Sequence, residues 1–531
     1  MDLELVPLPA AAKVKEDFFR IEPPVEFHVE ETVRLDEPSA ELLVEQVSAQ
    51  LGFDASLKPL ENGSRSVPGA FTWHLDSGLA DLAPEGYVLE VDGDGVEARA
   101  PTTRGLFYAG QTLRLLLRRD REQGGAWCLP HVKIRDFPRF PWRGFMLDAA
   151  RHFQPKELIF RLLDAMALLK LNVFHWGLTN DQGWRIQLEA FPELVEVGSK
   201  RASTQVGGYL SRKKDGKLHS GYYSKEDVRE VVQEARARGI KVVPEVNFPG
   251  HCVAALAAKP ELSCTGGPFE VATTFGIKKD VLCLGGEEAL PFVKAVWEEI
   301  LELFPSDVVH VGGDEVPTKR WKECPKCRAK VEREGLGGPR ALQHQFTNEL
   351  ARFLVERGRR AIGWNEVLDG DLHESVLVQF WLRGKKRLLE DVRCGRKVVM
   401  SPFGRVYLDY DYHVTPLRQT YGFEPVPKQL EPEHRGNVLG LEAPLWTEWV
   451  RSEERVFWQS FPRLVAVAET GWTLAEKKDY ASFLRRLPHA LEVLETLGVR
   501  SAPLRAADPP WWKRLVWPLH FGREPKEPEF G

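Results

Sequence analysis

Between residues 144 and 443 the chain alternates short apolar runs with longer stretches of helical periodicity, the pattern of parallel strands joined by helical crossovers. The apolar runs fall at 144–149, 171–176, 241–246, 308–312, 361–365, 376–381, 397–401 and 438–443, eight in all. Eight such repeats predict a closed (β/α)8 TIM barrel. Apolar positions at helical spacing predict helices over 155–170, 225–238, 287–303 and 341–357. Only about ten residues separate the fifth and sixth runs, too few for a crossover helix. The barrel is therefore expected to be irregular there, and again between the seventh and eighth strands.

Ahead of the barrel the pattern changes. An amphipathic stretch at 40–51 and another helix at 104–118 flank a hairpin signal at 86–100, where two alternating runs surround Asp92-Gly93-Asp94-Gly95. Residues 135–141 carry two prolines and mark a boundary. The expected organisation is an α/β fold with an N-terminal α/β domain over 1–137, the catalytic barrel over 138–499, and an extension over 500–531 packed on the barrel. That extension is rich in Pro and Trp, at 509–512 and 517–518.

Composition narrows the function classes. With 43% hydrophobic and 28% charged residues the chain is that of a globular protein. A net charge of −5, with both signs interleaved, leaves no footprint for nucleic acid or an anionic membrane. Asp2 and Glu4 stand where a leader would carry basic residues, and no apolar run is long enough to span a bilayer, so a cytoplasmic location is expected. Seven scattered cysteines do not form a disulfide framework. Cys324 and Cys327 make a lone CxxC with no second pair near it in sequence, so they read as two reduced thiols on a loop and no metal is expected.

In a barrel of this kind the active site lies past the C-terminal ends of the strands. The clusters found there are DAARH (148–152), HWGLTNDQGW (175–184), EVNFPGH (245–251), HVGGDE (310–315), WNE (364–366), QFW (379–381), YLD (407–409) and WTE (446–448). No GxSxG elbow, reactive-cysteine assembly or phosphate-binding glycine loop accompanies them. Carboxylates and tryptophans recur instead. Paired acids with stacking indoles suit a neutral, hydroxyl-rich ring whose leaving oxygen needs a proton.

These eight motifs, in this order over about 138–472, resemble those of glycoside hydrolase family 20, as does the run GLFYAGQTL (105–113) that closes the preceding domain. The resemblance implies retaining, exo-acting hydrolysis of terminal β-linked GlcNAc or GalNAc from a small oligosaccharide or glycoconjugate, without cofactor. The substrate's 2-acetamido oxygen would attack the anomeric carbon, giving an oxazolinium intermediate that water opens. Glu315 would be the general acid and then the base, Asp314 would hold the acetamide N–H, and Tyr407 would hold its carbonyl. Arg151, Asp409 and Glu448 would bind ring hydroxyls, and Trp364, Trp381 and Trp446 would wall the pocket. Both acids can enter one pocket only if the strand ends or twists at Gly312-Gly313.

His251 matches a family histidine that contacts the acid and is held by an aspartate. At that aspartate's position stands Asn180, with Asp181 next to it; Asn247 replaces an acid and Gly177 a second histidine. If Asn180 is the partner of His251, the pH–rate profile is displaced or the preferred substrate altered. No tryptophan between 407 and 446 offers the leaving-group platform of relatives, leaving Tyr421 or Phe423 for that place. Two other readings fit the same residues: a glycosidase for another 2-acetamido sugar or a disaccharide unit, and a sugar-binding protein without turnover. In the same way, Asp314-Glu315 could be a solvated strand end, Arg151 a structural ion pair, and any single Trp plain core.

Overall fold

The structure is a computed structural model that describes residues 3–30, 39–61, 66–120 and 125–514. Trp517-Pro518 of the expected extension, and Asp2, lie outside the described residues. No described helix is long and apolar enough to cross a membrane.

Eight parallel strands close into a barrel in chain order: Trp142–Asp148, Val173–Gly177, Lys241–Glu245, Val308–His310, Arg360–Trp364, Leu377–Phe380, Val398–Met400 and Val438–Leu445. The last pairs with the first, so no edge is left open. Helices Lys156–Leu168, Lys225–Ala237, Ala289–Leu303 and Pro339–Val355 occupy the expected crossovers. Between the fifth and sixth strands there is only the 3-10 turn Asn365–Asp369, the irregularity the short spacing predicts, and between the seventh and eighth only the short helix Leu417–Tyr421 and the turn Pro432–Asn437, where irregularity was also expected.

The barrel interior is layered. Its lower end is an apolar plug of Trp142, Val173, Val243, Val308, Ile362, Leu377 and Val399. Above it lies a buried polar column. His175 is stacked 4.5 Å from His310, with Glu245 bridging the two rings at 3.2 and 3.3 Å. Glu442 accepts from Trp142, from Gln379 and from His175 at 2.7–2.9 Å. Burial disfavours charge on His175, but Glu442 and Glu245 outweigh it and push its pKa up to about 9.

N-terminal to the barrel an eight-stranded mixed sheet carries the helices Ser39–Leu51 and Thr103–Leu116. The second of these helices is buried over nearly its whole circumference because it is sandwiched between the sheet and the barrel helix Lys156–Leu168. Two buried ion pairs tie sheet to barrel: Arg143 to Glu85 at 2.8 Å, and Lys170 to Asp136 at 2.9 Å. Asp136 also accepts from Tyr87 and from the Trp472 indole, so its lone pairs are filled. At the other end, Ala502 donates to Phe461, and Asp508 accepts from Tyr480.

Candidate active site

At the C-terminal ends of the strands a cavity of about 390 Å3 is lined by Arg151, His251, Asp314, Glu315, Trp364, Trp381, Tyr407, Asp409, Trp446 and Glu448, with Tyr209, Leu210, Gly276, Ile277 and Tyr410 at its rim. That volume is near the lower end of the roughly 300–1,000 Å3 of small-molecule pockets, room for about one sugar ring with its substituent. A larger cleft, about 680 Å3, opens at the opposite end of the barrel beside Asn172, Lys241 and Ser306. Its lining acids are already paired, Glu85 with Arg143, Asp81 with Arg135, and Asp307 with Lys241 and Arg360.

The two acids reach one pocket because the fourth strand stops at His310. Gly312 and Gly313 then take left-handed φ of 69° and 89°, and Glu315 follows at 49°. A Cβ on Gly312 would lie 2.0 Å from the Asn247 amide oxygen, so glycine is required there. Asn247 donates to Asp314 at 2.7 Å and accepts from the Gly313 N–H at 3.1 Å, which fixes the Asp314 carboxylate. Burial, with Glu245 and Glu315 adding to it, raises the pKa of Asp314, while His251 and Asn247 act to keep it ionised.

His251, also left-handed at φ 48°, stands between three carboxylates. Its Nδ1 is 2.9 Å from Asp181, and its Nε2 is 3.6 Å from Asp314 and 3.5 Å from Glu315. Against burial, Asp314, Asp181 and Glu315 raise its pKa well above the ordinary value, so the three carboxylates favour the imidazolium form. The expectation that Asn180 is its partner is overturned. Asn180 pairs in a small hairpin with Gly183, and its side-chain oxygen accepts from the Asp181 N–H at 2.9 Å. The neighbouring side chain, Asp181, is the one that turns inward, so the charge thought lost is present.

Opposite the acids, Arg151 lies with its guanidinium 4.8 Å from the Trp446 ring, donates to Asp148 and Gln182, and is 3.9 Å from Glu448. Thr447 binds Asp148 at 3.1 Å, locking the Trp446 and Arg151 segments together. Trp364 donates to Glu245 and lies 5.6 Å from Trp446, while Trp381 stacks on Tyr407 at 6.1 Å and donates to Glu366. Burial, then Asp409, raises the Tyr407 pKa well above 10, so its hydroxyl is a neutral donor at all working pH values. Burial and Glu448 raise that of Asp409, whose Oδ1 is buried with no partner among the described residues. An unfilled acceptor of this kind suits a ligand hydroxyl.

Two further contributors, Arg463 and Glu366, were given no role by the sequence reading. Arg463, fully buried, donates to the carbonyls of Leu408, Tyr410 and Thr415 and so pins the Tyr407–Asp409 loop from below. Glu366 is pushed up to about 7 by burial and by Asp314. Tyr421 and Phe423 do not supply a leaving-group platform: Tyr421 is buried against Glu469 and Phe483, and Phe423 belongs to the same core. The exposed apolar side chains at the mouth are Tyr209, Leu210 and Ile277.

The catalytic-domain model of glycosyl hydrolase family 20 matches residues 140–475, and that of the family's domain 2 matches residues 2–137. A beta-hexosaminidase of Porphyromonas gingivalis is 38% identical over 513 residues, covering 94% of this chain and 64% of the relative. One of Vibrio furnissii is 36% identical over 72% of this chain and 65% of the relative. The chain thus spans a little under two thirds of the length of each. The solved exo beta-N-acetylglucosaminidase of Vibrio harveyi, in complex with N-acetylglucosamine, superposes with a TM-score of 0.83 at 28% identity, over 94% of this chain and 78% of that one.

Proposed function

This chain belongs to glycosyl hydrolase family 20, and we propose from that premise that it is a retaining exo-β-N-acetylhexosaminidase, removing terminal β-linked GlcNAc or GalNAc by substrate-assisted catalysis. What carries the reading is the convergence of Asp314 and Glu315, one oxygen from each lying within 4.8 Å of a His251 nitrogen, on a pocket sized for one ring.

Tyr407 and Asp314 grip the two ends of the 2-acetamido group, the phenol donating to its carbonyl oxygen and the carboxylate accepting its N–H. This aims the carbonyl oxygen at the anomeric carbon and steadies the positive charge that spreads onto nitrogen. Glu315 hands its proton to the departing oxygen, then takes one from the water that opens the oxazolinium ring, with net retention. Arg151, Asp409 and Glu448 bind the ring hydroxyls. Trp446 lies under the ring, and Trp364 and Trp381 enclose the acetamide methyl. His251 acts through the two acids, positioned by Asp181. A volume of about 390 Å3, room for about one ring, favours a chain end over an internal residue, in keeping with exo action.

The domain division at 137/138 and 499/500 is part of the same proposal, with the N-terminal unit bracing the barrel through Glu85 and Asp136. So is a cytoplasmic setting, which seven cysteines with no disulfide among them favour. Aryl β-GlcNAc and β-GalNAc substrates and a β-linked disaccharide, run on wild type and Glu315→Gln, test the reading. A loss of about two decades or more is expected for removing the general acid, greatest on the disaccharide, whose leaving group is poor. Wild type inert on every 2-acetamido substrate contradicts the proposal.

A further inference from the structure

The CxxC is not isolated. Cys264 and Cys283, from the loop that follows the third strand, fold against Cys324 and Cys327, which follow the Asp314-Glu315 pair. The sulfur separations are 3.8 Å for Cys264 to Cys327, 3.7 Å for Cys283 to Cys324 and 3.8 Å for Cys283 to Cys327. All four sulfurs lie within 4.8 Å of one another. A disulfide closes to about 2.05 Å and joins one partner to one. Here Cys283 is about as near to Cys327 as to Cys324, and Cys327 stands at 3.8 Å from both Cys264 and Cys283, so the contacts run on through all four sulfurs rather than closing as two separate pairs. Four thiolates held about 2.3 Å from a tetrahedral zinc ion stand about 3.8 Å apart along each edge, the spacing of three of the six sulfur pairs here, with the rest within 4.8 Å.

The surrounding backbone is built for such a centre. Cys264 and Cys283 are each followed by X-Gly-Gly, as Thr265-Gly266-Gly267 and Leu284-Gly285-Gly286. A Cβ on Gly285 would come within 2.3 Å of the Cys327 nitrogen, so only glycine lets this loop lie against the CxxC turn. The Gly286 N–H donates to the Cys283 carbonyl at 3.1 Å, which folds this segment into a tight turn. Cys324 caps the helix Pro325–Arg333 and Cys327 lies in its first turn, where backbone dipoles favour a thiolate. Cys283, Cys324 and Cys327 are buried and Cys264 partly so.

We propose that Cys264, Cys283, Cys324 and Cys327 bind one zinc ion as a closed tetrathiolate. With four protein ligands and no open position the site is structural. Loading releases the thiol protons to solvent. The ion ties the loop behind His251, which also carries Gly276 and Ile277 at the pocket rim, to the segment that leaves Glu315. The two segments are already linked by the Trp321 indole donating to Leu282 and by the Arg320–Asp280 pair. This site is independent of the hydrolytic reading.

The test is metal analysis of the purified full chain, handled without chelator and without a metal-affinity resin. One zinc per chain is expected, released by an organomercurial in step with the titration of four thiols. Exchange with cobalt should give the intense visible and sulfur-to-metal charge-transfer bands of a tetrathiolate, and Cys324→Ser with Cys327→Ser should abolish both zinc and bands. Because the metal content and cobalt spectrum are read on wild type, a variant that fails to fold does not blunt the test. Protein that stays zinc-free after incubation with excess zinc, two disulfides found by peptide mapping, or iron in place of zinc would each overturn the assignment.

Discussion

Replacing Asp181 with Asn asks whether the charge that holds His251 resides at 181, as the geometry has it, or depends on 180. Asp181 is fully buried and accepts from His251 Nδ1 at 2.9 Å and from the Val253 N–H at 3.1 Å. Asparagine keeps the size and one acceptor but removes the negative charge. A hydrogen bond to a charged group contributes about 1.5–3 kcal/mol and a neutral one about 1, so the exchange costs about 0.5–2 kcal/mol. If that difference is felt in the transition state, kcat falls about 2- to 30-fold, at about 1.4 kcal/mol per decade. The pH dependence is the sharper readout. Asp181 helps to raise the His251 pKa, so the imidazolium form persists to higher pH in the wild type, and its loss should move the alkaline limb of kcat/KM to lower pH. Asn180→Asp retains the acceptor for the Asp181 N–H and leaves the His251 contact untouched, so its profile should match wild type even if a second buried acid lowers its Tm. Steady-state kinetics on an aryl β-GlcNAc across the pH range give both numbers. A displaced profile for Asn180→Asp with an unchanged one for Asp181→Asn would refute the reasoning.

Asp409→Asn should abolish turnover yet raise Tm at pH 7, because burial and Glu448 make its ionised form costly; the gain should shrink as pH falls and be lost below about pH 3.9, where the acid becomes protonated in both states, and a lower Tm at pH 7 would contradict this. Glu366, pushed up to about 7, binds its proton more tightly folded than unfolded. Its contribution to stability is therefore fully present below about pH 4.3 and is lost as pH rises through about 7. Glu366→Gln should flatten that part of a Tm-against-pH curve, and an unchanged slope would remove Glu366 as its source. Asn247→Ala removes the donor that fixes Asp314, and a loss of about 10- to 100-fold in kcat is expected for a hydrogen bond to a charged group, with KM changing less; equal losses in kcat and 1/KM would point to general loosening instead.

The barrel was legible because its strands are almost wholly buried and therefore read as mainly apolar runs, while the crossovers keep helical spacing. Strand ends were less so. The fourth run continues in sequence to Gly312, but the structural strand stops at His310, since Gly312 and Gly313 leave the ladder to turn two adjacent acids into one pocket. The partner of His251 was misplaced by one residue because the hairpin at Thr179–Asn180 decides which side chain faces inward, and no periodicity encodes that. Tyr421 and Phe423 are aromatic at a plausible place in the chain, yet the helix Leu417–Tyr421 directs them into the core. The cysteine cluster joins residues 63 and 41 positions apart, a proximity that only the packing of two loops creates.

The claim on which the rest depends is that the attacking nucleophile is the substrate's own acetamide, gripped by Asp314 and Tyr407, with no enzyme carboxylate bonding to the sugar. Aryl β-glucosaminides whose N-acetyl group carries zero, one, two or three fluorines test this most directly, since each fluorine weakens the carbonyl oxygen as a nucleophile while barely changing its size. The account predicts that kcat falls steeply and progressively along the series. A rate indifferent to fluorination would mean that the acetamide does not attack and would contradict it.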